Sequence, residues 1–443
     1  MENNNYWYSR YVTKIFETPS NEYSEWFGYY NYDLLNRDQS RLLCGRSKYA
    51  GIVPKKGMTI EIGYYDISTG DWHHLGTTDS WNWPQGAMAQ WLETENGESR
   101  IIYNCSKEGR LISRIVNVET GKEKEIDWPI YGITPDKKKS ISLDLERSFW
   151  CRAYHYESVA NPKKDCDVFE EDGIYEIDLE HNTRKKLISI RDVINTDKRP
   201  YFDDQKHWIE HIMINPSGSS FCFLHRFSPK NNVLKYETRL FIANIDGSHI
   251  QCIPGWDKVR WSHFGWCGDD SFVIYTYFPS KFNSGTTKSR IKIKGYSPKG
   301  LIKTIIRKSI ELFPNKISVL LGSPHSSYQY YKKDIEGIYR FDSLIDPKLS
   351  RIDGHPSFTK DKLFMITDTY GDKKSWQSLY VYNLSTHKSQ LLAKFFAYYD
   401  GKPSSCDLHP KLSNNNNYVA VDTAYNEKHH VVLFKIDWTK LFH

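Results

Sequence analysis

One four-strand pattern can be read roughly seven times along the 443 residues, and this repeat restricts the fold more than any other feature of the chain. Its first half is a short apolar strand, a turn rich in Asp, Asn, Gly, Ser or Lys, and a second strand of β-branched or aromatic residues. Trp208–Phe227 (WIEHIMINPSGSSFCFLHRF), Trp261–Tyr277 (WSHFGWCGDDSFVIYTY), His355–Tyr370 (HPSFTKDKLFMITDTY) and His409–Tyr425 (HPKLSNNNNYVAVDTAY) follow this plan. Ile130–Asp144 and Met88–Asn104 are weaker copies, and Trp26–Gly45 is the weakest. The second half is a hairpin with a polar turn, seen at Ile60–His74, Arg114–Ile126, Ile174–Leu187, Leu240–Ile253 and Leu379–Leu392. Two hairpins make a four-stranded antiparallel sheet, and a ring of such sheets is a β-propeller. The expectation is an all-β, seven-bladed β-propeller in which residues 1–443 form a single domain.

Composition agrees with strands. The chain holds 14 Trp, 31 Tyr and 21 Phe, and large rings suit pleated, half-buried surfaces. Sustained 3.6-residue apolar periods with caps are scarce, and 301–320 is the best helical candidate. In blade five, a polar loop is expected at about 279–290, with the outer hairpin within 290–320. The C-terminal repeat offers one outer strand, Val431–Asp437. Tyr8–Phe16 (YSRYVTKIF) is the candidate for its missing partner, closing the ring and hiding two sheet edges.

The net charge is +6 and the pI about 8.6, with Lys and Arg scattered. The one dense run, Lys137–Lys139, reads as a solvated turn, so nucleic acid is not an expected partner. No apolar run approaches a membrane span, and the N-terminus lacks a signal-peptide pattern. The eight cysteines form no CxxC pair, which favours free thiols and a cytoplasmic location. Oligomeric state is not legible.

Aligning the first strands by their turns places a histidine at one position in blades four to seven: His211, His263, His355 and His409. Each is followed three residues later by an apolar side chain (Ile214, Trp266, Phe358, Leu412). Innermost strands line a propeller's channel, so these imidazoles are expected to converge at one end of it. Neutral imidazole is a common ligand for Zn, Mn, Fe and Cu. Cys406, three residues before His409, is a further candidate ligand, and a thiolate there favours zinc. The bland alternative is a repeat-level device in which each ring bonds a neighbouring blade's backbone. The ends of the second strands return to the same rim and bring His225 and Arg226, Tyr275 and Tyr277, Asp368 and Tyr370, and Asp422 and Tyr425 there, with Asp144 and Arg147 as a further pair. His207, Trp83 and Gln85 precede inner strands on the same side. Such a mixture suits a sugar acid, with Arg for the carboxylate, rings for C–H faces and polar groups for hydroxyls. The substrate-binding candidates are Trp83, Gln85, Arg147, His207 and Tyr277.

The segments HWIEHIMINPSGSSFCFLHRF, GHPSFTKDKLFMITDTYGD and CDLHPKLSNNNNYVAVDTAY resemble the oligogalacturonate lyase-like group of seven-bladed propellers. The resemblance runs from about residue 24 to the end and is strongest in blades four to seven. It implies a divalent metal, typically manganese, held by three His and a Gln, two of these from a Gln-x-x-His motif. Cys406-Asp407-Leu408-His409 is similar to that motif with Cys for Gln, and Lys411 stands where a further His is expected. The metal is therefore expected to be Mn or Zn. The implied reaction is β-elimination on an acidic, uronate-containing oligosaccharide, with His225, Arg226 and Tyr370 as catalytic candidates: His225 or Arg226 as base or carboxylate clamp, Tyr370 as proton donor. The alternatives are a non-catalytic glycan-binding or assembly propeller, or a hydrolase or epimerase acting on an acidic glycan.

Overall fold

A computed structural model describes residues 5–19, 22–93, 97–147, 156, 166–232, 235–277, 326–345, 353–398 and 404–442. Seven antiparallel sheets follow one another along the chain, and each inner strand is hydrogen-bonded to the next strand in sequence. Blade one comprises Ser24–Trp26, Arg41–Ser47, Ile60–Asp66 and Trp72–Thr78; blade two, Gln90–Trp91, Arg100–Lys107, Arg110–Asn117 and Glu123–Ile126. Blade three comprises Gly132–Ile133, Lys139–Leu143, Gly173–Asp178 and Thr183–Ser189; blade four, Gln205–Ile214, Ser220–Pro229, Glu237–Asn244 and Gln251–Cys252. Arg260–Gly268, Ser271–Tyr277, Ser326–Lys333 and Tyr339–Ile345 form blade five, and Ser357–Phe358, Phe364–Asp368, Trp376–Asn383 and Lys388–Phe396 form blade six. Blade seven takes Lys411–Leu412, Tyr418–Thr423 and His430–Ile436 from the C-terminal end, and Val12–Glu17 from the other end of the chain. The molecule is thus a seven-bladed β-propeller.

The alternation of apolar and polar residues gives every blade two apolar faces, and each is buried against a neighbour. Leu43 and Ile62 of blade one meet Ile101 and Tyr103 of blade two. One large cluster runs from Ile102 in blade two through Ile141, Phe223 and Phe272 to blade five. Val273 packs with Met365 between blades five and six, and Ile366 with Val419 between six and seven. Leu433 and Leu42 complete the belt between blades seven and one.

The terminal strand closes the ring in part as expected. Val12–Glu17 pairs antiparallel with His430–Ile436. The expected closing segment began at Tyr8, however, and the chain divides there: Tyr6–Tyr8 is instead a fifth strand on Lys388–Phe396 of blade six. Blade five also differs from expectation. Its outer hairpin lies at 326–345, beyond 290–320; the proposed loop at 279–290 and helix at 301–320 lie outside the described residues. The basic run forms a turn, with Lys137 at φ 61° and facing Asp33.

Beside the closure, Glu25 is a buried carboxyl that accepts from the Tyr65 hydroxyl and pairs its own N–H with the His429 carbonyl. Burial pushes its pKa from 4.5 to about 7 against the opposing Tyr65 hydrogen bond. Between these values the folded chain holds a proton that the unfolded chain has released. Stability from this group is therefore full below pH 4.5 and lost as the pH rises through 7, a difference of roughly 3 kcal/mol at 1.36 kcal/mol per pH unit. Glu25→Gln is expected to stabilise the protein by about 1–3 kcal/mol at pH 8 and by little at pH 4, as read by denaturant midpoints. An equal effect at both pH values would contradict a buried titrating carboxyl.

Candidate metal centre and ligand cavity

Backbone irregularities aim the register histidines inward. In blade four Glu210 pairs with Leu224 and Met213 with Cys222, so His211 and Ile212 together oppose one residue. In blade five Trp261 pairs with Thr276 and Phe264 with Ile274, so Ser262 and His263 form the same bulge. Bulges re-aim side chains out of the pleat. His355 and His409 lie two residues before the two-residue inner strands of blades six and seven, and His211 and His409 adopt φ of 56° and 44°. Such left-handed conformations cost free energy in a non-glycine residue and cluster at functional sites. Gly265 allows the blades to approach, since a Cβ there would stand 2.4 Å from the Pro356 carbonyl oxygen.

The four rings line one cavity of about 460 Å³ with Tyr29, Gln85, Arg226, Tyr236, Arg260, Ser262, Tyr277, Asp353, Tyr370 and Asp407. The His263 and His355 ring centroids are 4.1 Å apart, and those of His355 and His409 are 4.4 Å apart. Tyr29, from blade one, lies among them at 5.4 Å from His211 and 4.9 Å from His409. Next to it, the Tyr30 hydroxyl donates to the Phe264 carbonyl of blade five at 2.7 Å, which ties this turn of blade one across to blade five. Gly28, at φ 109°, permits the turn that delivers them: a Cβ there would meet the Gln85 carbonyl oxygen at 2.7 Å.

Two chemically distinct halves result. On one side, His355, Asp407 and His409 each offer a ligand atom, all within 4.8 Å of one another. Asp368 accepts the His355 backbone N–H at 2.6 Å and lies 3.0 Å from Nδ1, which fixes the ring with its proton on Nδ1. Among the described residues His355 Nε2 is then a buried lone pair with no hydrogen-bond partner. Burial, reinforced by His263, holds the His355 pKa well below its usual value; burial with His355 does the same for His409. Burial thus favours the neutral imidazole at both positions, the form that ligates metals. The donor set and the orphaned Nε2 fit a divalent cation.

On the other side, the Glu210 carboxylate lies 3.2 Å from His211 Nε2 and 3.1 Å from Arg226 Nη1, and accepts from the Trp208 indole. Burial, against the pull of Glu210, lowers His211 to about 4. The Arg226 guanidinium sits 4.5 Å over Tyr236, and Arg260 lies 5.7 Å from the same ring. Between the halves, His263 Nδ1 is 3.2 Å from Asp353, which also accepts from the Tyr277 hydroxyl at 3.1 Å. Burial disfavours a charged His263 ring, yet Asp353 outweighs it and the pKa is raised.

The remaining sequence candidates are placed elsewhere. Cys406 packs against Ala424 rather than lining the cavity. Arg239 donates to His225, which bonds His207 at 3.0 Å, and His207 bonds the Phe202 carbonyl at 2.8 Å. This chain is buried within blade four, because the register faces these side chains into the sheet packing. Arg147 is spent on backbone carbonyls of Cys166, Asp167 and His207. Trp83 stacks with Trp26 and His429, its indole donating to the Ile52 carbonyl. Gln85, Arg226, Tyr277 and Tyr370 do line the cavity. The sequence reading missed Asp353 and Asp407, although a shared Asp-x-His pattern (Asp353-Gly354-His355, Asp407-Leu408-His409) marks both. It also missed Glu210, Arg260 and Tyr29, and the faint first repeat carries no signal for the last.

Fold and site together define a seven-bladed propeller with a cavity lined by histidine and arginine. Among solved structures the chain is similar to an oligogalacturonate lyase in complex with manganese, with a TM-score of 0.57 and 15% identity over 97% of this chain and 93% of that one. It is equally similar to an oligogalacturonate lyase from Vibrio parahaemolyticus, with a TM-score of 0.57 and 14% identity over 97% and 94% of the two chains. The likeness is one of fold along nearly the whole chain. No protein-family model matches the chain, and no curated protein matches it in sequence.

Proposed function

We propose that this propeller is a metal-dependent lyase that cleaves a uronic-acid-containing oligosaccharide by β-elimination at the channel mouth. The observation that carries the reading is the meeting, in one cavity, of the His355–Asp407–His409 set with two guanidinium groups. A divalent cation held by that set supplies neutralisation of the charge that develops on the substrate carboxylate. Arg226 and Arg260 orient the acidic sugar through paired N–H donors, and Tyr29 and Tyr236 give its C–H faces apolar cover. His263 takes the C5 proton, because Asp353 fixes its Nδ1 side and raises its basicity. The C5–H electron pair becomes the C4=C5 double bond as the C4–O bond breaks. Tyr370, kept protonated by burial, then by Asp407, returns a proton to the departing oxygen. His263 thus takes the base role that the sequence leaves open between His225 and Arg226; His225 is enclosed within blade four.

The seven described cysteines are free thiols, which supports a reducing, cytoplasmic compartment. Among the described residues no helix is long and apolar enough to cross a membrane.

The test is incubation with oligogalacturonate, oligoglucuronate and alginate oligosaccharides. A gain in ultraviolet absorbance from the unsaturated product is expected for at least one of them, abolished by chelation and restored by manganese. New reducing ends without absorbance would indicate a hydrolase, and binding without turnover a glycan platform; either would overturn the lyase reading.

A further inference from the structure

Building on the metal-dependent reading above, we propose that Asp407, and not Cys406, is the anionic ligand of the metal. His355 and His409 complete a two-imidazole, one-carboxylate face that accepts Mn(II) or Fe(II) without a thiolate. Cys406-Asp407-Leu408-His409 precedes the inner strand Lys411–Leu412, and its contacts divide the four side chains into two sets. Leu408 is fully buried among Ile366, Val419 and Val432, and Cys406 packs against Ala424. Asp407 and His409 both line the cavity.

The segment is pinned in this register. The Gln377 side-chain amide donates to the Cys406 carbonyl at 2.8 Å, and the Asp422 N–H donates to the Leu408 carbonyl at 2.9 Å. Rotating Cys406 toward the cavity would break the first of these contacts and expel Leu408 from its cluster. Asp368 orients the opposing His355 ring through Nδ1, and its Nε2 has no hydrogen-bond partner among the described residues.

The chemistry of the site differs from a neutral donor set in consequence. One carboxylate and two neutral imidazoles leave a bound divalent ion with a formal charge of +1, and the oxygen donor suits Mn or Fe without the bias toward Zn that a thiolate brings. The two guanidinium groups across the cavity then retain a larger share of the work of attracting an anionic substrate.

Metal binding by the purified full-length protein tests this without reference to turnover. Manganese titration followed by the free-ion electron paramagnetic resonance signal is expected to give Cys406→Ser and Cys406→Ala affinities within about 2-fold of the parent. Asp407→Asn is expected to lose roughly 100-fold or more, since even ligand-orienting partners are worth about 10–100-fold. The cobalt-loaded parent is expected to lack a thiolate-to-cobalt charge-transfer band, which settles the thiol's role without any variant. That band, or full manganese affinity in Asp407→Asn, would overturn the assignment. Retained metal dependence of elimination in that event would leave the lyase reading intact. Conversely, the expected titration with no absorbance gain on any uronate would retire the lyase and leave the metal site standing.

Discussion

Deletion of residues 1–18 is expected to abolish folding to a closed monomer. The segment supplies the outer strand of blade seven, paired over five positions from Val12–Ile436 to Glu17–Val432. It also contributes Thr18, whose N–H donates to the Val431 carbonyl and whose hydroxyl accepts from the Val431 N–H. Val12 is buried against Phe434 and Ile436, and Phe16 packs on Tyr65 of blade one at 5.7 Å. At about 1 kcal/mol per hydrogen bond and about 2 kcal/mol per large apolar side chain, the loss is on the order of 5–10 kcal/mol. That approaches the whole stability of a typical domain, about 5–15 kcal/mol. It would also uncover a strand edge, which invites aggregation. Size-exclusion chromatography and a denaturation curve decide the matter; a monomer with an unchanged midpoint would show that the ring holds without its closing strand.

His355→Ala is expected to cost roughly 10³-fold or more in kcat/KM on the responsive uronate, together with measurable metal affinity. Its ring touches both His263 and His409, and its Nε2 is a buried lone pair with no hydrogen-bond partner among the described residues. Removing it also leaves the Asp368 carboxylate without the imidazole it orients. Asp368→Asn provides a gentler companion, with the ring retained and metal affinity lowered by about 10–100-fold. Far-UV circular dichroism guards against misfolding of the buried substitution. Turnover that survives His355→Ala in a folded protein would remove the basis for metal-assisted elimination.

The repeat made the blade count and most strand positions legible, because period-two alternation and turn chemistry are local. Blade five was misplaced where a long insertion separates its two hairpins, and local pattern says nothing about how far a chain travels before pairing. The histidine register was equally visible, since equivalent strands of a ring stand at equal height. Reading outward from it was less secure. His225 and Arg226 are adjacent in one strand, yet the sheet buries the first and presents the second to the cavity. Cys406 was chosen by motif spacing, whereas the packing of the segment turns Cys406 toward Ala424 and leaves Asp407 at the cavity.

By itself, then, the sequence determined a ring of sheets and a set of imidazoles at common height, because both follow from periodicity within each repeat. Only the tertiary structure decided which charged groups meet them. Asp353, Arg260 and Tyr29 reach the cavity from blades whose spacing around the axis is set by interblade packing, and such contacts join residues more than two hundred positions apart, as Tyr30 and Phe264 do.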